Sequence, residues 1–86
     1  MISSNIWEVS GKITDIKNRK NGAVIRIRGN VYRKSIFSMK AEIDCVVKKS
    51  TYDILKNLTL KRGKDITFTG HLNLSNNSYL IVDNVS

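Results

Sequence analysis

Seven basic residues and no acidic one fall between positions 17 and 34: Lys17, Arg19, Lys20, Arg26, Arg28, Arg33 and Lys34. Cations at this density hold anions, and guanidinium planes also stack on flat rings. Arg26, Arg28 and Tyr32 share the parity that puts side chains on one side of an extended strand. Over the whole chain, fifteen Lys and Arg stand against seven Asp and Glu, a formal charge of +8 on 86 residues. Such an excess concentrates polyanions at the surface and speeds their capture, and nucleic acid is the commonest of them. The competing reading is a solvated surface kept soluble by charge.

Other chemistry lacks its parts. His71 is the sole histidine and Cys45 the sole cysteine. No metal-ligand spacing, nucleophile–base pair or glycine-rich phosphate loop is visible. Lys61-Arg62-Gly63 reads as a helix stop rather than an anion site. The chain is therefore expected not to be an enzyme and to carry no cofactor and no metal. One cysteine cannot form an internal disulfide, which suits a reducing cytosol, so a cytoplasmic location is expected. No apolar run is long enough to span a membrane. Met1-Ile2-Ser3-Ser4-Asn5 lacks the basic and apolar regions of a secretory signal.

Eighty-six residues make one domain, 1–86, with a thin core. Ile6 to Ile16 alternates apolar and polar residues and reads as a strand. Gly11, on its apolar side, predicts a bulge or bend. Lys17-Asn18-Arg19-Lys20-Asn21-Gly22 reads as a hairpin loop, because Asn-Gly tolerates positive φ. A second strand runs from about Ala23 to Arg33, with Ile25, Ile27, Gly29 and Val31 inward. A third runs from about Ile36 to Lys48, with Met39, Ala41, Ile43, Cys45 and Val47 inward. Ser50-Thr51-Tyr52-Asp53 predicts a helix start. Ile54, Leu55 and Leu58 recur at helical spacing through Leu60, and Lys61-Arg62-Gly63 closes the helix. Asp65 to Leu74 is a fourth strand, Ser75-Asn76-Asn77-Ser78 a tight turn, and Tyr79 to Val85 a fifth strand. The fold class is all-β with one short helix. The order β-β-β-α-β-β is that of a five-stranded Greek-key barrel of the OB type.

Several motifs carry a resemblance. Ala41-Glu42-Ile43-Asp44-Cys45-Val46-Val47 leads into the helix. A basic-glycine corner follows at Lys61-Arg62-Gly63, then a strand with a Gly-x-Leu step at Gly70-His71-Leu72. The opening places Asn5, Trp7, Val9 and Gly11 at alternate positions, followed by Lys12-Ile13-Thr14. Asn21-Gly22-Ala23-Val24 and Tyr79-Leu80-Ile81-Val82-Asp83-Asn84-Val85 complete the set. In order and spacing, these resemble bacterial single-stranded DNA-binding proteins, the SSB family, along nearly the whole chain. By size the chain is similar to the compact, dimeric PriB-like primosomal branch. The resemblance implies non-specific binding of single-stranded DNA in replication or recombination. It also points to replication proteins such as a helicase or primase as partners.

A single strand exposes phosphates and base faces, so its binder needs a cationic groove and flat side chains. The expected contacts are Lys12, Lys17, Arg19, Lys20, Arg26, Arg28, Tyr32, Arg33, Lys34, Phe37, Lys40, Lys48 and Tyr79. Tyr32 is expected to stack on a base, and Phe37 and Tyr79 are further stacking candidates. Trp7 is on the inner side and reads as core or interface. The SSB family carries aromatics on the outer face of its third strand; Glu42 and Lys48 stand in those places here. Binding is therefore expected to be more electrostatic than the family's usual mode. Glu42 and Asp44 are expected to pair with Arg26 or Arg28. The chain stops after the last strand, so the family's acidic recruiting tail is expected to be absent. An open first-strand edge at Ile6 and Trp7 predicts a homodimer. Two alternatives stay open: an RNA-binding OB domain, and a protein-interaction OB module that takes an acidic partner.

Overall fold

The computed structural model describes residues 6–33, 37–57, 60–73 and 78–85, and for Phe37 the backbone alone. Five strands and one helix follow in the order β1 (Ile6–Arg19), β2 (Gly22–Arg33), β3 (Phe37–Lys48), α1 (Lys49–Lys56), β4 (Asp65–Asn73) and β5 (Tyr79–Val85). The strands close into a barrel in the order β1-β2-β3-β5-β4. Every pairing is antiparallel except β3 with β5, which is parallel. This is the OB-type arrangement that the element order predicts, with the helix between the third and fourth strands.

Alternation decides what goes inside. Val9, Ile13, Ile25, Ile27, Cys45, Val47, Phe68 and Leu80 are each at most 1% exposed and fill the barrel. Burying one such large side chain contributes about 1.5–3 kcal/mol, so a core this small depends on all of them. Gly11 and Gly29 face each other across β1 and β2. A Cβ on Gly11 would fall 2.3 Å from the Arg28 carbonyl oxygen, so the two strands approach closely only because both residues are glycine. The register slip of β1 lies between Ile13 and Asp15, beyond Gly11, where the sequence placed it. Leu55 is the one buried residue of α1, which packs against β2 and β3.

Several expectations need correction. Lys17, Asn18 and Arg19 are not loop; they extend β1 and pair with Val24, Ala23 and Gly22. The turn is thereby reduced to Lys20-Asn21, with Gly22 taking the positive φ of 144°. The helix ends at a cap on Asn57, not at Lys61-Arg62-Gly63. Gly63 occupies a separate turn with φ 85°, where its N–H bonds to the Ile13 carbonyl at 2.7 Å. No side chain caps the helix start, and Asp53 pairs with Lys56 one turn on. Met39, assigned inward, is 47% exposed where β3 runs past the end of β5. Finally, Ile6 and Trp7 are already paired on one side of the first strand. Residues 6–12 pair with β4, and from Glu8 onward β1 also pairs with β2. A homodimer joined there on the β4 side would have to displace β4. Leu58, Leu74 and the turn residues 75–77 lie outside the described residues. No helix among the described residues is long and apolar enough to cross a membrane.

Candidate nucleic-acid interface

The strand register brings most of the expected contacts onto one outer face. Arg28 stands between Lys12 and Glu42, and Arg26 between Asp15 and Asp44. Asn30 pairs with Lys40, Tyr32 with Ser38, and Gly22 with both Arg19 and Lys48. Parallel pairing of Asp44 with Tyr79 carries the same face onto β5. Tyr32 is 41% exposed, and Arg26, Arg28, Lys40 and Lys48 are all exposed. Tyr32 and Arg26 are six residues apart on one strand, so the face is about 20 Å long between these two levels.

Most acidic groups on this face are tied to partners; Glu8, opposite Tyr32, is exposed and forms no salt bridge among the described residues. Arg26 Nε donates to Asp44 Oδ1 at 2.8 Å. The Asp44 contact raises the guanidinium's pKa further, leaving Arg26 charged and held. Thr14 Oγ1 donates to Glu42 Oε2 at 3.1 Å. Arg62 Nη2 reaches back to Asp15 Oδ1 at 2.9 Å, and this hydrogen bond holds the Asp15 carboxyl below its usual range. Lys12 pairs with Asp65 at 3.4 Å. Arg28, Lys40 and Lys48 form no salt bridge among the described residues, so they are the cations most available to a phosphate.

A denser positive cluster lies where β1 turns into β2. Lys17, Arg19 and Lys20 meet Lys48 and Lys49 there. Lys49 N–H donates to the Asn21 carbonyl at 3.0 Å, and Tyr52 Oη donates to Asn18 Oδ1 at 2.6 Å. These two bonds fasten the hairpin tip to the start of α1, so the cations sit on a braced strand end. Lys49 was missed from the sequence because it opens the helix. The adjacent Lys48-Lys49 pair was the available signal. Asp15, Lys17, Arg19, Val24, Arg26 and Asp44 line a cleft of about 40 Å³, room for roughly one water.

Not every expected contact joins this face. Arg33 has the parity of Val31, so it belongs to the inner row at the barrel mouth. Its guanidinium lies 5.6 Å from the centre of the Trp7 ring. The half-buried Trp7 packs against the core, as its phase predicts. Lys34 and the side chain of Phe37 lie outside the described residues. Among the described residues no His, Cys, Asp and Glu cluster has the makings of a metal site. His71 pairs with Asp83, and the Cys45 thiol is pushed up to about 12, chiefly by burial.

The arrangement is a shallow, mostly cationic sheet face with a tyrosine near each end and a reinforced cluster of lysines and arginine at one corner. It can neutralise phosphates along a track and offer rings to one or two bases. No protein-family model matches the chain, and no curated protein matches it.

Proposed function

We propose that this barrel binds single-stranded DNA without sequence preference, in the manner of a minimal SSB-like domain serving replication or recombination. One observation carries the reading. Arg28, Lys40, Lys48, Tyr32 and Tyr79 share one outer face, while Asp44, Glu42 and Asp15 there are engaged by Arg26, Thr14 and Arg62. Phosphates would lie along Arg28, Lys40 and Lys48, and Arg19, Lys20 and Lys49 would hold the strand at the corner. Bases would stack on Tyr32 and Tyr79. Cationic contacts outnumber the rings, so counterion release dominates the affinity and salt weakens it steeply.

A second reading follows from Glu42 and Asp44. They occupy the third-strand face where base-stacking rings would strengthen nucleic-acid binding, so the face offers cations more than rings, which also suits a protein partner. That partner would be an acidic protein segment. Titration of labelled oligo-dT, oligo-rU and a duplex at two salt concentrations separates the readings. Preference for oligo-dT with a steep salt slope supports the proposal. Preference for oligo-rU assigns RNA instead. Equal binding of single strand and duplex reduces the face to generic charge, and absence of binding leaves the acidic partner.

A further inference from the structure

The third strand leaves half of one edge without a partner strand. On its β5 side, β3 pairs only through Asp44, Cys45 and Val46. From Phe37 to Ile43 its other side pairs with β2, and the β5 side meets no strand among the described residues. Exposed backbone N–H and C=O groups along such an edge are a template for another strand. The side chains there fit that role. Met39 is 47% exposed and Ala41 half-buried, so apolar surface flanks the edge where β3 extends beyond its pairing with β5.

We propose that a second copy of this chain covers this edge, pairing β3 with β3 antiparallel about a two-fold axis through Ala41. Alternation and charge select that register. Antiparallel partners must point to the same face, so the axis passes through a residue. An axis at Lys40 sets two lysines against each other, and an axis at Glu42 sets two glutamates against each other. Both arrangements are repulsive. An axis at Ala41 instead places Lys40 opposite the partner's Glu42, twice by symmetry, and Met39 beside the partner's Ile43. Every outward charge then meets its opposite and every inward apolar residue meets another. The resulting sheet runs β2-β3-β3-β2 through both copies. It joins the two cationic faces into one surface, which lengthens the track if the DNA-binding reading is correct.

Single-cysteine crosslinking without nucleic acid reads the register directly. A disulfide needs Cα atoms about 4.4–6.8 Å apart, which only the residue on the axis satisfies with its own copy. Ala41→Cys should crosslink efficiently on mild oxidation, and Lys40→Cys and Glu42→Cys should not. Cys45 stays in place because it is buried. Sedimentation equilibrium gives the second measure. Lys40→Glu should weaken the dimer about tenfold, and Lys40→Glu with Glu42→Lys should restore it to within about threefold. A monomer at high protein concentration overturns the proposal, as does crosslinking at 40 or 42 in preference to 41. Neither result touches the DNA-binding reading, which is measured separately with oligo-dT.

Discussion

Removing a carboxylate from the cationic face should release a trapped arginine. Asp44 holds Arg26 at 2.8 Å, and both side chains are roughly 40% exposed, at 44% for Arg26 and 38% for Asp44. Asp44→Asn keeps the shape but removes the charge that anchors the guanidinium, and an exposed pair of this kind adds little to folding. Arg26 is then free to meet a phosphate. One further phosphate contact on a single strand steepens log K against log salt by about 0.7. If that contact acts purely by counterion release, affinity rises as salt to the power of about −0.7, or about eightfold near 50 mM and about fourfold near 150 mM. The control is Asp53→Asn, which removes the same charge from α1, where Asp53 pairs with Lys56. Fluorescence anisotropy of labelled oligo-dT across a salt series measures both. Asp44→Asn should steepen the slope and Asp53→Asn should not. Equal gains from the two variants with unchanged slopes would refute the reasoning, because net charge alone would then explain the binding.

Three further outcomes follow from the same geometry. Tyr32→Ala should weaken oligo-dT binding roughly 5- to 150-fold, the equivalent of about 1–3 kcal/mol for one stacked base, with the salt slope unchanged; an unaltered affinity would remove Tyr32 from the interface. Burial suppresses the Cys45 thiolate, so a thiol reagent at pH 8 should label the native protein only as fast as it opens; prompt labelling would contradict the closed core. Gly29→Ala would bring a Cβ to 2.1 Å from the Ser10 carbonyl oxygen and 2.7 Å from the Gly11 Cα. Backbone atoms cannot step aside as a flexible side chain can, so about 2–3 kcal/mol should be lost, a fall in Tm of roughly 10–20 °C; an unchanged melting curve would show that the close approach of β1 and β2 is relaxed in solution.

The barrel was legible in the sequence because period-two alternation in five segments, one helical interruption and the glycine positions all agree. Boundaries were less legible where tertiary pairing overrides local composition. Lys17-Asn18-Arg19 has the polarity of a loop, yet β2 offers it Val24, Ala23 and Gly22 as ladder partners, and backbone bonding prevails. Leu60 packs against the core without being helical, so its apolar character misled the reading of the helix end. Arg33 was assigned to the cationic track by charge, although its parity put it with Val31. Parity outranks charge type because the pleat fixes side-chain direction. The pairing of Arg26 with Asp44 was visible as a two-strand possibility, but choosing it over Arg28 required the register. The anchoring of Asp15 by Arg62, which are 47 positions apart, leaves no trace in local pattern.

The central claim is that the outer face of β2 and β3 receives the strand, and backbone amide NMR shifts on adding oligo-dT test it residue by residue. The account predicts the largest changes at Arg28, Tyr32, Lys40, Lys48 and Tyr79, continuing into Arg19 and Lys20, with Ile66, Asp83 and Asn84 undisturbed. Changes centred on Ile66, Asp83 and Asn84, or none at any oligo-dT concentration, would contradict it.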